Sequence, residues 1–225
     1  MDIGQFFSQY LDSEQKKKVK NYLGLNRVAR PGGILFSGSS LMEQFPISEL
    51  ARNDFPTLTI YNRGVGGYTS AQFLEKISTL VLDLRPSVLF LNIGTNDLVE
   101  AEHWEENLYH NLNCIYCQIR DTLPDTKVYI MKFYPVNPFV DQTAQKYMLK
   151  VRTQENLERV NRKNEELARQ YGFDYIDVND GLIDDEGYLR RELTVEGVHM
   201  YTDGYMIVYS NIRKYLEKAA SQEKD

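Results

Sequence analysis

Three serines crowd one short stretch, "GILFSGSSLMEQF" (33–45), where Ser37, Ser39 and Ser40 stand between an apolar run and a helical pattern. A serine hydroxyl becomes a strong nucleophile when a neighbouring base takes its proton, and imidazole is the side chain suited to that near neutral pH. The chain holds 3 histidines, His103, His110 and His199. The first two sit in a pattern whose apolar stripe is Trp104, Leu108, Leu112, Ile115 and Ile119. On a 3.6-residue wheel both fall opposite that stripe and point outward. His199 lies in "ELTVEGVHMYTDGY" (192–205), three residues after Glu196. That carboxylate can accept from one ring nitrogen and leave the other to face a hydroxyl. Taken alone, E-x-x-H is equally a solvated loop carboxylate near a histidine, and the serine triplet is equally a polar turn.

Two other stretches could serve a reaction. Gly64, Gly66 and Gly67 in "NRGVGGYT" (62–69) either supply the positive φ of a tight turn or expose backbone N–H groups to an anion. They lack both the G-x-G-x-x-G spacing of a dinucleotide site and the Gly-Lys-Ser/Thr end of a phosphate loop, so nucleotide binding is not expected. Asn96 in "GTND" (94–97) is either a turn residue or a side-chain donor to a developing oxyanion. Cys114 and Cys117 share the outer helix face with His103 and His110. With no second C-x-x-C, they read as reduced thiols, and no native metal site is expected.

These residues need elements to bring them together. Short β-rich runs occur at 33–37, 57–61, 87–93, 127–132 and 173–178, mostly without polar alternation, as in strands buried on both faces of a parallel sheet. Helical patterns alternate with them. Thr69 and Gln72 form a capping box ahead of Phe73, Ile77, Leu80 and Leu84, in a helix that Pro86 stops. A second helix carries the Trp104 stripe, a third runs from about Ala144 to Tyr171 with Gly172 closing it, and a last follows Asp203 as N-cap. The alternation predicts a three-layer α/β/α sandwich with a flavodoxin-like, five-stranded parallel sheet. In such a sheet ligands bind beyond the carboxyl ends of the strands, where Ser37 to Ser40, the glycine loop, Asn96 and the loop "FYPVNPF" (133–139) all fall. Only His199 among the histidines can reach that rim.

The 225 residues, 42% hydrophobic and 26% charged, suit one domain, with residues 1 to about 30 as a weakly patterned helical extension, an arm over the sheet edge or a dimer contact. A net charge of −6 without a basic, aromatic-interleaved stripe argues against nucleic acid. The run Lys16, Lys17, Lys18 reads as a solvated helix face. No apolar stretch reaches the roughly 20 residues of a membrane span, and the first residues lack the apolar core of a signal peptide, so a soluble, cytoplasmic protein is expected.

Taken together, the four loops resemble the motif blocks of the SGNH hydrolase superfamily, the GDSL esterases and lipases, over roughly residues 33 to 210. The first block, Gly-Asp-Ser-Leu, is met by Gly38, Ser39, Ser40 and Leu41, which makes Ser40 the implied nucleophile with Ser39 in place of aspartate. N-x-G-x-x-G is met by Asn62, Gly64 and Gly67, and G-x-N-D by Gly94, Asn96 and Asp97. The final D-x-x-H block has Glu196 in the acid position before His199. The resemblance implies a Ser40–His199–Glu196 triad, an oxyanion hole of the Ser40 and Gly67 N–H groups with the Asn96 side chain, a structural Asp97, and no cofactor. It implies an ester hydrolase acting on a small-molecule substrate such as an acetylated carbohydrate. A lysophospholipase or thioesterase for longer chains and a non-catalytic binding domain with a dead triad are the alternatives. Tyr68, Phe133, Tyr134 and Phe139 are expected to wall the substrate pocket. Oligomeric state is left open.

Overall fold

The strands form where aliphatic and aromatic runs can be buried on both sides. In this computed structural model, which describes residues 2–222, β1 (Ile34–Gly38), β2 (Ile60–Gly64), β3 (Val88–Asn92), β4 (Lys127–Met131) and β5 (Asp174–Ile176) pair in parallel in the order β2-β1-β3-β4-β5. Alternate side chains serve opposite layers. Ile34, Phe36, Val88, Phe90, Tyr129 and Met131 face one core. That core is closed by α2 (Ser40–Glu43), α3 (Ile47–Ala51) and α9 (Thr202–Gln222). Leu35, Leu89, Leu91, Val128 and Ile130 face the other. It is closed by α1 (Ile3–Asn26), α4 (Ser70–Glu75), α5 (Ile77–Leu80), α6 (Trp104–Thr122) and α8 (Gln154–Gln170). The sheet is thus the middle layer of an α/β/α sandwich. The strand order reverses direction at the β1–β3 pair, which places the loops after those strands at the crevice where such sheets take ligands.

Several boundaries differ from the sequence reading. Strand β2 begins three residues later than expected and runs through Asn62, Arg63 and Gly64. Its course follows pairing with β1 rather than hydrophobicity, and the Arg63 guanidinium is accommodated over the rings of Tyr22 and Tyr61, at 5.0 and 5.4 Å. The helix expected from Thr69 to Pro86 is instead α4, α5 and a 3-10 turn at Leu82–Leu84. Side chains from elsewhere take carbonyls there: Asn26 Nδ2 donates to Thr79 O (2.8 Å) and Ser37 Oγ to Leu80 O (3.1 Å). The long helix expected over 144–171 is also divided, into α7 (Gln142–Tyr147) and α8, because Asp141 and Thr153 each cap a new N-terminus. Asp203 lies inside the first turn of α9 rather than capping it, where its charge complements the helix dipole. The capping box of Thr69 and Gln72 forms, and Gly172 takes a left-handed φ of +74° just beyond α8. Among the described residues, no helix is long and apolar enough to cross a membrane.

A column of rings crosses the sheet: Phe36 stacks on Phe90 at 4.5 Å, and Phe90 on Tyr129 at 5.0 Å. Phe90 is fully buried at its centre. Phe90→Ala should destabilise the fold by about 3–5 kcal/mol, read as a lowered midpoint in urea unfolding.

Candidate active site

The three serines at the end of β1 have different fates. Ser37 points into the layer containing α5, where its hydroxyl donates to Leu80 O. Ser39 is buried, extended in backbone, and its Oγ has no hydrogen-bond partner among the described residues. Ser40 opens α2 and is half-buried at the rim. Its hydroxyl lies 2.9 Å from His199 Nε2.

His199 arrives from a tightly tied loop between a 3-10 turn (Arg191–Leu193) and α9. Val195 N donates to His199 O (2.8 Å), Thr194 Oγ1 donates to the same carbonyl (2.7 Å), and Gly197 N donates to Thr194 Oγ1 (2.9 Å). Gly197 has φ +102°, and a Cβ there would stand 2.1 Å from Asn137 O. Only glycine lets this loop press on the 133–139 loop, where Asn137 N donates to Gly197 O at 2.8 Å. Glu196 Oε1 then accepts from both His199 Nδ1 (2.6 Å) and His199 N (3.0 Å). The extra methylene of glutamate is absorbed by this fold-back, in which one oxygen holds the ring and the backbone of the same residue. Burial opposes ionisation of Glu196, but the His199 bonds outweigh it and hold the carboxyl below its ordinary value. With an ionised acceptor at Nδ1, the favoured neutral tautomer carries its proton there and leaves Nε2 to accept from Ser40.

The loops that follow β1, β2 and β3 also carry N–H donors to spare. Ser40 N and Gly67 N have no acceptor among the described residues. Asn96, in the 3-10 turn after β3 (Thr95–Asp97), donates one N–H to Tyr68 O at 2.9 Å and keeps a second. Its Oδ1 accepts from Arg152 Nη2 (2.8 Å), while Arg152 Nε donates to Thr95 O (2.9 Å). Arg152 therefore fixes which way the Asn96 carboxamide faces. Sequence reasoning passed over it, because an arginine in a polar stretch reads as solvated, yet it is only 6% exposed. Burial lowers its pKa to about 10, with the charges of Asp97 and Glu196 opposing that, so it remains a cation at neutral pH. Asp97 turns away from the rim. Its carboxylate accepts from Ser70 N (2.8 Å) and Ser70 Oγ (2.5 Å) at the start of α4, and burial raises its pKa against those bonds.

The residues expected to wall a pocket divide. Phe133 and Tyr134 are each 2% exposed and sit in opposite cores beneath the rim, so their rings support the loop rather than face solvent. Tyr68 is also buried, and it reaches the site through its carbonyl. Phe139 is exposed and packs edge-on against Tyr188 at 5.1 Å. Val195 and Tyr201, beside the Glu196–His199 loop, are exposed as well. Far from these, Cys114 Sγ lies 3.8 Å from His110 Nε2, both cysteines are free, and the described residues contain no cluster of three or more acidic, histidine or cysteine side chains placed to hold a metal.

The profile of the GDSL-like lipase/acylhydrolase family matches residues 44–207, a span that includes Gly67, Asn96, Glu196 and His199 and begins just after Ser40. The chain is 24% identical over 188 residues to N-acylneuraminate cytidylyltransferase of Escherichia coli, covering 82% of this chain but only 40% of that protein. It is 22% identical over 178 residues to platelet-activating factor acetylhydrolase IB subunit alpha2 of Rattus norvegicus, covering 76% of this chain and 70% of the relative. A Streptococcus pneumoniae protein provisionally described as a platelet activating factor superposes with a TM-score of 0.84 at 30% identity, covering 94% of this chain and 97% of the other. An acetylxylan esterase from Geobacillus stearothermophilus shares the fold at a TM-score of 0.62 and 13% identity, covering 83% and 94% of the two chains. The profile match takes in well over half of the chain, and the protein accordingly belongs to the GDSL-like lipase/acylhydrolase family, as a hydrolase of ester bonds with the SGNH hydrolase fold.

Proposed function

We propose that the protein is a serine esterase that removes short acyl groups, acetyl above all, from small-molecule esters such as acetylated carbohydrates, through a Ser40–His199–Glu196 triad. The observation that carries this reading is the continuous relay from Ser40 Oγ to His199 Nε2 at 2.9 Å and from His199 Nδ1 to Glu196 Oε1 at 2.6 Å. His199 takes the Ser40 proton as Oγ attacks the ester carbonyl. Glu196 stabilises the imidazolium that forms, and its lowered pKa keeps it ionised across the neutral range. The carbonyl oxygen, now negative, receives bonds from Ser40 N, Gly67 N and the remaining Asn96 N–H. His199 returns its proton to the leaving alcohol. A water activated by the same imidazole then releases the acid from the acyl-enzyme. An acetyl group is suggested by two relatives whose names specify acetyl removal.

The reading is tested by a substrate screen over acetylated sugars, short p-nitrophenyl esters and lysolipids, with Ser40→Ala as blank. Turnover should be greatest on acetyl esters and fall as the acyl chain lengthens; a maximum on long chains would assign a lysophospholipase or thioesterase instead. Ser40→Ala should abolish p-nitrophenyl acetate hydrolysis and labelling by a fluorophosphonate probe, whereas Ser37→Ala and Ser39→Ala should keep most of both. Glu196→Gln should lower kcat by about 10² or more. Asp97→Asn should instead act on the melting temperature, through the weakened α4 terminus, and leave kcat within a few-fold; the opposite ranking would move the acid role to Asp97.

A further inference from the structure

The peptide between Gly66 and Gly67 carries two groups that point in opposite directions: the Gly66 carbonyl and the Gly67 N–H. In the catalytic reading above, on which this inference rests, that N–H is an oxyanion donor. It is also flanked by two residues with little steric restraint, and Gly67 itself holds φ +76°. A rotation of this one peptide plane would turn a carbonyl oxygen toward the developing negative charge. What opposes the rotation comes from α1. Gln15, 6% exposed, donates from Nε2 to Gly66 O at 2.8 Å. Its own Oε1 lies 3.5 Å from Gln72 Nε2, and Gln72 is held by the capping box with Thr69. Across the same residue, Gly66 N donates to Glu43 Oε2 at 2.5 Å, and Glu43 is paired with Lys18, again from α1. Gly66 packs against the nucleophile, since a Cβ on it would lie 3.8 Å from Ser40 Cβ.

We propose that Gln15 is a positioning residue for the oxyanion hole, holding the Gly66 carbonyl so that the Gly67 N–H stays aimed at the reacting oxygen. A hydrogen bond to a peptide carbonyl also polarises that peptide and makes its N–H a stronger donor, so the contact sharpens the site as well as orienting it. Gln15 touches neither substrate nor triad, and it lies outside the segment that the family profile matches. The helix that carries it is thereby part of the catalytic apparatus by proxy.

The test is steady-state kinetics on p-nitrophenyl acetate together with the affinity of a short alkyl boronic acid, whose serine adduct mimics the tetrahedral oxyanion. Gln15→Ala should lower kcat about tenfold with KM within twofold, less than the loss of a direct donor, and should weaken the boronate in parallel. Gln15→Glu, which sets a second acceptor against the Gly66 carbonyl, should lower both further. Tyr22→Phe removes another α1 bond, from Tyr22 Oη to Gly64 O (2.7 Å), and should lower the melting temperature while leaving kcat and boronate affinity within twofold. If Gln15→Ala folds poorly, Gln15→Met keeps the length and apolar stem without the amide and carries the same expectation. A Gln15 variant with wild-type kcat and boronate affinity, in an enzyme whose Ser40 is active, would overturn the inference alone. A wild-type protein that neither hydrolyses esters nor labels at Ser40 would overturn the catalytic reading and this inference with it.

Discussion

The short bond between Glu196 and His199 is the constraint on which the rest of the site depends. A neutral imidazole can carry its proton on either nitrogen, and only one choice leaves Nε2 with a lone pair for the Ser40 hydroxyl. The 2.6 Å contact at Nδ1 makes that choice, and the second bond, from the His199 backbone N–H to the same oxygen, keeps the glutamate from swinging out to solvent. The fold can be understood as what this bond requires. The loop must turn sharply at Gly197 and be sewn to the 133–139 loop, and α9 must follow at once so that the loop has a fixed foot. On the other side, β1 must end at the rim between β2 and β3, so that Ser40 rises beside them.

The two cores do different work for the rim. The aromatic column of Phe36, Phe90 and Tyr129 braces the layer under α2 and α9, the helices adjoining Ser40 and His199. The opposite layer is more aliphatic and anchors the polar supports: Asp97 on the end of α4, Arg152 on Asn96, and Gln15 on Gly66. A buried cation such as Arg152 is costly to desolvate unless its hydrogen bonds are met, and its bonds to Thr95 O and Asn96 Oδ1 are directed at the loop that follows β3. Precision at the rim is thus drawn from side chains beneath and behind it.

How much of this was legible in the sequence depends on how far apart the partners lie along the chain. Strands β1, β3 and β4 announced themselves because both of their faces are apolar, and the capping box of Thr69 and Gln72 is a local signal. The end of β2 did not, since Asn62 and Arg63 are polar and are held in the sheet by pairing and by Tyr22 and Tyr61. The break between α5 and the 3-10 turn at Leu82–Leu84 follows from Asn26 and Ser37, which reach the Thr79 and Leu80 carbonyls across 53 and 43 positions. His199 could be singled out from its type and its place before the last helix, whereas Ser40 among three serines, and Glu196 as its acid, were named only through the resemblance to a family's motif blocks. Arg152 and Gln15 could not: their partners are 56 and 51 positions away, and neither residue type advertises the job. Phe133 and Tyr134 were expected at a pocket wall because aromatic rings in a rim loop can face either way, and burial drew them inward.

The leading helix contributes a lesson about modularity. Because α1 grips the glycine loop through Gln15 at Gly66 and Tyr22 at Gly64, the backbone of that motif is held by a helix that contributes none of the motif residues itself. The geometry of a short glycine loop is thereby written partly in a helix some fifty positions upstream.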